Sequence, residues 1–277
     1  MQNSSNTTGL PNIESGSESD TESDGRPVRA FLLTLAYDGS NYCGWQLQPD
    51  QPSVQQAVES ALCKVLDIPF IRVHASSRTD TGVHALGQAA VIRTDAWNAP
   101  ADRLHFALNT RLPPDVVARA AVEVSTDFHP LRDSTGKRYR YHVFSSRIED
   151  PLTARNHWWI RRRISLEAMR HAANHLLGRH DFESFQSSGS PRSSTVRTVR
   201  SLTINESEHV DGKLYTIEIE ADGFLYNMVR NIVGTLVQVG VGRAPHAWVR
   251  DVLEAKDRSL AGAAAPPQGL TLLEVLF

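Results

Sequence analysis

Residues 70–94 read "FIRVHASSRTDTGVHALGQAAVIRT", two apolar segments around a loop of small polar residues. The segments FIRVHAS and GQAAVIRT are typical of β-strands. The loop between them holds one carboxylate, Asp80, two positions after Arg78, and Gly82 and His84 follow within four residues. Loops held between strands often display functional side chains. The stretch therefore predicts two neighbouring strands and makes Asp80 a candidate functional residue.

The loop around Asp80 has two interpretations. A carboxylate with an ordinary pKa of about 3.9 is ionised at neutral pH, and the guanidinium of Arg78 favours that state. An ionised carboxylate can attack an electrophilic carbon and leave again, as in glycosyl transfer. No second acid is close in sequence, so a lone aspartate fits a reaction whose leaving group stays in the site and recombines. The alternative is structural: clusters of Ser, Thr, Asp and Gly are typical of turns, and Asp80 would then cap the turn.

Strands and helices alternate on both sides of this stretch, which predicts an α+β fold. Ser53 is a predicted helix N-cap, because Gln56 follows at the capping-box spacing. The boundary between two α+β domains is predicted near residues 126–134, giving residues 28–130 and 131–277. The remaining predicted strands cover VRAFLLTLAYDG, DVVARAAVEVS, STGKRYRYHVF, VRTVRSLTINES, KLYTIEIEADG and GLTLLEVLF, and the remaining helices PADRLHFALNTRL, SLEAMRHAANHLLG, FLYNMVRNIVGTLVQVG and PHAWVRDVLEAK.

The composition is that of a soluble globular protein, with 40% hydrophobic and 22% charged residues. No apolar run approaches the ~18 residues of a membrane span, and the N-terminus lacks the pattern of a signal peptide, so we expect a cytoplasmic protein. Residues 1–27 contain five acids and one base, which predicts a disordered acidic tail. The rest of the chain has 28 Lys and Arg against 26 Asp and Glu, so net charge alone does not predict a nucleic-acid partner.

The segment TGKRYRYHVF combines Lys137, Arg138 and Arg140 with Tyr139 and Tyr141. On a strand, the two tyrosines lie on one face and the arginines on the other. Tyrosine rings stack on unpaired bases and basic side chains contact phosphates, so the pattern fits RNA binding. The alternative is an amphipathic strand with its tyrosines in the core. Other arginines are candidate phosphate contacts or a solvated basic face: Arg161, Arg162, Arg163, Arg192, Arg197 and Arg200.

Arg230 lies in the apolar run FLYNMVRNIVGTLVQVG. An arginine in such surroundings needs a partner, because an unpaired buried charge is costly. Asp80 is a candidate partner, and the alternative is that the side chain reaches solvent at the helix edge. His171 and His175 have a helical i, i+4 spacing but no acid between them and no further ligand, so we predict no metal site.

Eight motifs, in order from about Val28 to the C-terminus, resemble the tRNA pseudouridine synthase A family. They are YDGSNYCGWQ, SVQQAVESAL, SSRTDTGVHALGQ, ALNTRLPPDV, FHPLRDSTGKRYRYHV, LLGRHDFESF, FLYNMVRNIVGTLVQVG and AAPPQGLTL. Ser77 stands where the family often has Gly, and Thr81 where it often has Ala, so these hydroxyls are expected to alter nearby hydrogen bonds. Tyr226 and Asn227 stand where some members have histidines, which leaves their roles open.

The resemblance implies a role for four residues. Asp80 matches the essential aspartate that reacts covalently with the substrate nucleoside, and Arg78 the arginine that helps displace the target base and orients the aspartate. Tyr139 matches the residue that packs against the uracil and is a candidate for removing the C5 proton. Arg230 matches the arginine that pairs with the catalytic carboxylate.

The resemblance also implies a fold and a function. The fold is that of pseudouridine synthases: two α/β domains similar to RNA-recognition modules (RRM-like), with a central, mainly antiparallel sheet and the active cleft between them. Members isomerise uridine to pseudouridine at positions 38, 39 and 40 of the anticodon stem-loop of tRNA, as homodimers without metal or cofactor. The alternatives are a synthase for another RNA site and a catalytically silent RNA-binding module. Attack by the aspartate on the sugar and on the uracil ring both stay open.

Overall fold

The computed structural model describes residues 26–189, 193–209 and 211–277. The predicted acidic tail therefore lies outside the described residues, except for Arg26 and Pro27, and so does Arg192. The described part of the chain contains helices and one large sheet, so the predicted α+β class is confirmed. None of its helices is both long and apolar enough to cross a bilayer.

The strands and helices alternate along the chain. The strands are β1 (Arg29–Tyr37), β2 (His74–Ala75), β3 (His84–Thr94), β4 (Val116–Val124), β5 (Gly136–Ser146), β6 (Trp158–Ile160), β7 (Gly178–Asp181), β8 (Val196–His209), β9 (Gly212–Ala221) and β10 (Leu270–Leu276). The α-helices are α1 (Val54–Leu66), α2 (Ala101–Asn109), α3 (Leu166–Ala173), α4 (Met228–Gly240) and α5 (Trp248–Ala255).

The strands form a sheet in the order β4-β1-β3-β10-β5-β9-β8-β7, with β2 beside β3 and β6 beside β5. Neighbouring strands are antiparallel except for β10 with β3 and β5 with β6. The predicted central, mainly antiparallel sheet is therefore confirmed. Strand β10 is the last in sequence but lies between β3 and β5, so it joins the strands of residues 28–130 to those of residues 131–277.

Local sequence explains where two helices begin and what they bury. The Ser53 hydroxyl accepts a hydrogen bond from the Gln56 backbone N–H at 3.2 Å, so the predicted cap of α1 is confirmed. Helix α4 is buried around most of its circumference, as its apolar sequence requires. Only Arg230 and Gln238 in α4 are partly exposed, so the single charged residue of this helix lies at the edge of the core.

The structure differs from the predicted elements at several places. In FIRVHAS only His74 and Ala75 pair with β3, so the strand is much shorter than predicted. Helix α4 begins at Met228 rather than at Phe224, because Asn227 has a left-handed conformation with φ of 59°. Strands β6 and β7 were not predicted, since three and four residues are too few to show an alternating pattern.

Candidate active site

The segment that carries Asp80 alternates between two environments. The side chains of Ser77 and Thr79 are buried, whereas Arg78 is exposed and Asp80 is partly exposed. Side chains at i and i+2 of an extended chain lie on one face. Arg78 and Asp80 therefore point to the same solvent-facing side, while the two hydroxyl residues anchor the segment to the sheet.

Buried hydrogen bonds hold this segment in place. The Thr79 hydroxyl bonds with the Tyr37 hydroxyl at 2.8 Å, and the Gln88 amide donates to the Ser77 carbonyl at 2.6 Å. The Ser77 hydroxyl lies 3.0 Å from the Tyr139 hydroxyl. The Ser77 hydroxyl, which stands where the family often has Gly, therefore takes part in the hydrogen bonds beside the site. Buried polar groups that are satisfied in this way rigidify their surroundings.

Two glycines allow the backbone to turn at Asp80. The Asp80 carbonyl accepts a hydrogen bond from the Val83 N–H at 3.1 Å, which closes a turn in which Gly82 has φ of 75°. Gly44 has φ of 90°, and a Cβ there would lie 2.6 Å from the Thr79 carbonyl oxygen. The Trp45 N–H donates to that same oxygen at 3.0 Å. The loop of YDGSNYCGWQ therefore packs against the backbone of the RTDTG loop at Thr79 and supports it.

A cavity of about 980 Å³ lies in front of this turn. Residues from both predicted domains line it, including the four site residues Arg78, Asp80, Tyr139 and Arg230. The four residues are separated by as many as 152 positions in sequence, yet the sheet and α4 place them around one space. The structure thus brings together every residue that the sequence singled out for the site.

The Asp80 carboxylate has no hydrogen-bond donor within reach among the described residues. Its nearest cationic neighbour is Arg230, with 3.9 Å between Nη1 and Oδ2. Burial raises the pKa of Asp80 above its ordinary value, and the charge of Arg230 partly opposes that rise. The turn interpretation is correct for the backbone only, because the carboxylate does not cap the turn.

Arg78 does not take the position that sequence proximity suggested. Its side chain is exposed and has no hydrogen-bond or ion-pair partner in the described part of the chain. The expectation that Arg78 keeps Asp80 ionised is therefore wrong: the cation beside Asp80 is Arg230, from α4. Arg78 instead lines the cavity with an unengaged guanidinium, a suitable contact for an RNA phosphate.

Arg230 is fixed by two further acceptors. Its Nε donates to the Ala265 carbonyl at 2.7 Å, and its Nη1 donates to the Asn227 side-chain oxygen at 2.9 Å. The predicted pairing with Asp80 is thus partly correct: Arg230 faces Asp80, but backbone and amide oxygens supply its hydrogen bonds. Sequence reasoning missed Asn227 and Ala265, since nothing local shows that these oxygens reach the guanidinium.

Tyr139 forms one wall of the cavity. Its ring packs edge-on against Phe224 at a centroid distance of 5.0 Å. Burial, chiefly, and the charge of Asp80 raise the pKa of Tyr139 to about 12, against the opposing hydrogen bond from Ser77. At neutral pH the phenol is therefore protonated, a state that can pack against a base or donate a hydrogen bond but cannot accept a proton at its oxygen as a phenolate would.

The arginines on the opposite face of β5 are ion-paired. Arg138 contacts Glu220 at 2.9 Å and Glu274 at 3.0 Å, and Arg140 contacts Glu218 at 2.6 Å. These cross-strand pairs make the two arginines structural contacts of the sheet rather than free phosphate ligands. For β5 the amphipathic interpretation is the better one, although Tyr139 also reaches the cavity.

Some of the other residues singled out from the sequence are exposed, and others form ion pairs or hydrogen bonds within the protein. Arg161, Arg162 and Arg163 are exposed, whereas Arg200 pairs with Glu220 at 3.8 Å. His84 is buried and structural: its Nδ1 accepts from the Gly39 N–H, and its Nε2 lies near the Arg155 and Gln268 carbonyls. Across the described ranges, no group of three or more His, Cys, Asp or Glu side chains is arranged to hold a metal ion.

Comparison with known proteins gives a consistent result. The family described as tRNA pseudouridine synthase matches residues 34–131 and 172–277, which include Asp80 and Arg230. A protein of Myxococcus xanthus named tRNA pseudouridine synthase A is 46% identical, over 88% of this chain and 91% of its own length. Proteins of the same name from Thermoanaerobacter sp. (strain X514) and Geobacter sulfurreducens are 44% and 42% identical, each over 90% of this chain and 100% of their own length.

Proposed function

Since the chain belongs to the tRNA pseudouridine synthase family and is therefore an isomerase that acts on tRNA, we propose that the cavity around Asp80 is its active site. We further propose that it modifies uridines at positions 38, 39 and 40 of the anticodon stem-loop. One observation carries the assignment of the site: a lone carboxylate without a hydrogen-bond donor in the described part of the chain faces Arg230 inside a large cavity.

The proposed reaction uses each of the four residues. The target uridine leaves its stack, at a cost of roughly a few kcal/mol, and its uracil packs against Tyr139 while Arg78 contacts the displaced RNA. Asp80 acts as the nucleophile: its carboxylate oxygen bonds to C1′ of the sugar or to the uracil ring, and the bond between N1 and C1′ breaks. The uracil turns within the cavity, C5 bonds to C1′, and the bond to Asp80 breaks again. Loss of the C5 proton and protonation of N1 complete an isomerisation with no net change in atoms.

The electrostatics of the site support this proposal. Arg230 stabilises the ionised form of Asp80, which the reaction requires, against the opposing effect of burial. Partial burial of the cavity limits access by water, which would otherwise hydrolyse the intermediate. Because the raised pKa of Tyr139 keeps its phenol protonated, we assign it to packing against the uracil rather than to proton removal.

The experiment that tests the function maps the modified nucleotides. Unmodified tRNA transcripts are incubated with the wild-type protein, with Asp80→Asn, and with Asp102→Asn, which is a matched substitution at an exposed aspartate of α2. We expect pseudouridine in the anticodon stem-loop with the wild type and Asp102→Asn, and none with Asp80→Asn. Modification only elsewhere would assign the enzyme to another RNA site. No modification by the wild type would favour a silent RNA-binding module.

We also propose that residues 28–130 and 131–277 act as two domains, and that the protein works as a homodimer in the cytoplasm, where tRNA is its substrate. A groove completed by a second chain would provide the basic surface that a nearly neutral chain lacks. Sedimentation should give twice the chain mass of 30.7 kDa. A species of single-chain mass with full activity would refute the dimer and leave the assignment of Asp80 intact.

A further inference from the structure

Asn227 has an unusual conformation at the start of α4. It occupies the N-cap position, where Asn normally has an extended backbone and accepts a hydrogen bond from an N–H of the first turn. Here its φ is 59° and its ψ is 10°, and its side chain forms no such cap. A residue held in the left-handed region without its usual capping bond indicates a use for the side chain elsewhere.

The side chain of Asn227 connects two parts of the site. Its Oδ1 accepts a hydrogen bond from Arg230 Nη1 at 2.9 Å, and its Nδ2 donates to the Ser187 hydroxyl at 3.2 Å. The first contact fixes the orientation of the amide, because a guanidinium only donates and the atom that faces it must be the oxygen. Together with the bond from Arg230 Nε to the Ala265 carbonyl at 2.7 Å, the amide holds the guanidinium at two of its edges.

The guanidinium of Arg230 lies close to the Asp80 carboxylate without forming a hydrogen bond to it. The 3.9 Å between Arg230 Nη1 and Asp80 Oδ2 is close enough for a strong Coulomb attraction and too long for a hydrogen bond. The same nitrogen, Nη1, is the one that Asn227 engages. If the Asn227 oxygen were removed, the nearest anionic oxygen on the cavity wall to Arg230 Nη1 would be that of Asp80.

We propose that Asn227 is a positioning residue that holds Arg230 back from Asp80, so that the guanidinium stabilises the carboxylate's charge without occupying the oxygen that reacts. A direct hydrogen bond would engage the lone pairs of the nucleophile, and complete removal of the cation would disfavour its ionised state. The proposal rests on the nucleophilic role assigned to Asp80, and it adds a residue that acts on the carboxylate through Arg230.

Two substitutions test the proposal with opposite expected effects. Asn227→Gly tolerates the left-handed backbone and removes the amide, so Arg230 should close onto Asp80. Asn227→Asp also tolerates this backbone, keeps the acceptor and adds a negative charge near Asp80. We expect the acid limb of the kcat profile to move to lower pH with glycine and to higher pH with aspartate. The loss in kcat with glycine is expected to be on the order of tenfold to a hundredfold, with KM for tRNA little changed.

Controls separate positioning from folding and from the role of Asp80. Asp67→Gly also places a glycine at a left-handed residue, the exposed end of α1 with φ of 55°, and should leave the acid limb in place. The Asp80 carboxyl is also titrated by 13C NMR, with its signal assigned by its loss in Asp80→Asn, so the shift is measured without turnover. The titratable neighbours on the cavity wall are the same in all variants: Arg72, His74, Arg78, His129, Lys137, Tyr139 and Tyr226.

Each outcome decides the matter. Opposite shifts of the Asp80 titration in the two Asn227 variants would support the positioning role. A titration that stays in place with glycine, or that moves in the same direction in both variants, would overturn it. If Asp80→Asn retained full activity, the proposed function would fail. The NMR shifts of the Asp80 carboxyl would still show whether Asn227 controls the distance between Arg230 and Asp80.

Discussion

At the scale of single residues, Asp80 combines partial burial with an ion pair that is not a hydrogen bond. Burial raises its pKa, and Arg230 lowers it. Arg230→Gln removes the opposing charge and leaves burial, so the pKa of Asp80 should rise further. We expect the acid limb of kcat/KM to move to higher pH and activity at neutral pH to fall. The shift is measured as the pH dependence of tritium release from tRNA labelled at C5 of uracil. An acid limb that stays in place would contradict the pairing of Arg230 with Asp80.

The same burial predicts a gain in stability when the charge is removed. Because the folded-state pKa of Asp80 lies above its unfolded value, its contribution favours folding below the unfolded pKa and is lost as the pH rises through the folded pKa. Asp80→Asn, which is neutral at every pH, should therefore raise the urea midpoint at pH 7 and give no gain at low pH. An equal effect at both pH values would show that the carboxylate's charge is not the cause.

At the scale of elements, the loop that contains Gly44 holds the turn of Asp80 by close backbone contact. A Cβ at Gly44 would lie 2.6 Å from the Thr79 carbonyl oxygen, whereas a Cβ at Gly242, with φ of 76°, meets nothing within 4 Å. Both Gly→Ala substitutions carry the left-handed backbone strain of roughly 1–3 kcal/mol, and only Gly44→Ala adds a clash. Chemical denaturation should show Gly44→Ala to be the less stable, with reduced activity, while Gly242→Ala keeps its activity. Equal losses of stability in the two variants would refute the close contact between Gly44 and the Thr79 carbonyl oxygen.

The sequence predicts most of these elements but not their contacts. Asp80 between two strands, Tyr139 on β5 and Arg230 on an apolar helix all follow from local patterns, and the fold places them around one cavity. The left-handed turn at Asn227 could not be predicted, because helical periodicity continues back to Phe224. The ion pairs of Arg138 and Arg140 also depend on the register between β5, β9 and β10, which no local pattern reveals.

At the scale of the whole molecule, β10 connects the strands of the two predicted domains. Leu272 on β10 is fully buried and lies opposite Ala85 of β3 and Tyr139 of β5. Leu272→Ala should cost about 2–5 kcal/mol in the free energy of unfolding, because it leaves a cavity at this junction. Leu260→Ala, at a side chain 51% exposed, should change it by less than about 0.5 kcal/mol. Urea denaturation compares the two, and a similar small loss in both would contradict the role of β10.

The catalytic role of Asp80 can be measured directly with tRNA that carries tritium at C5 of uracil. Formation of the bond between C5 and C1′ must release this hydrogen to solvent. We expect release by the wild-type protein and none by Asp80→Asn, with the Kd for tRNA largely unchanged in the variant. Release by Asp80→Asn at the wild-type rate would contradict the assignment of Asp80 as the nucleophile.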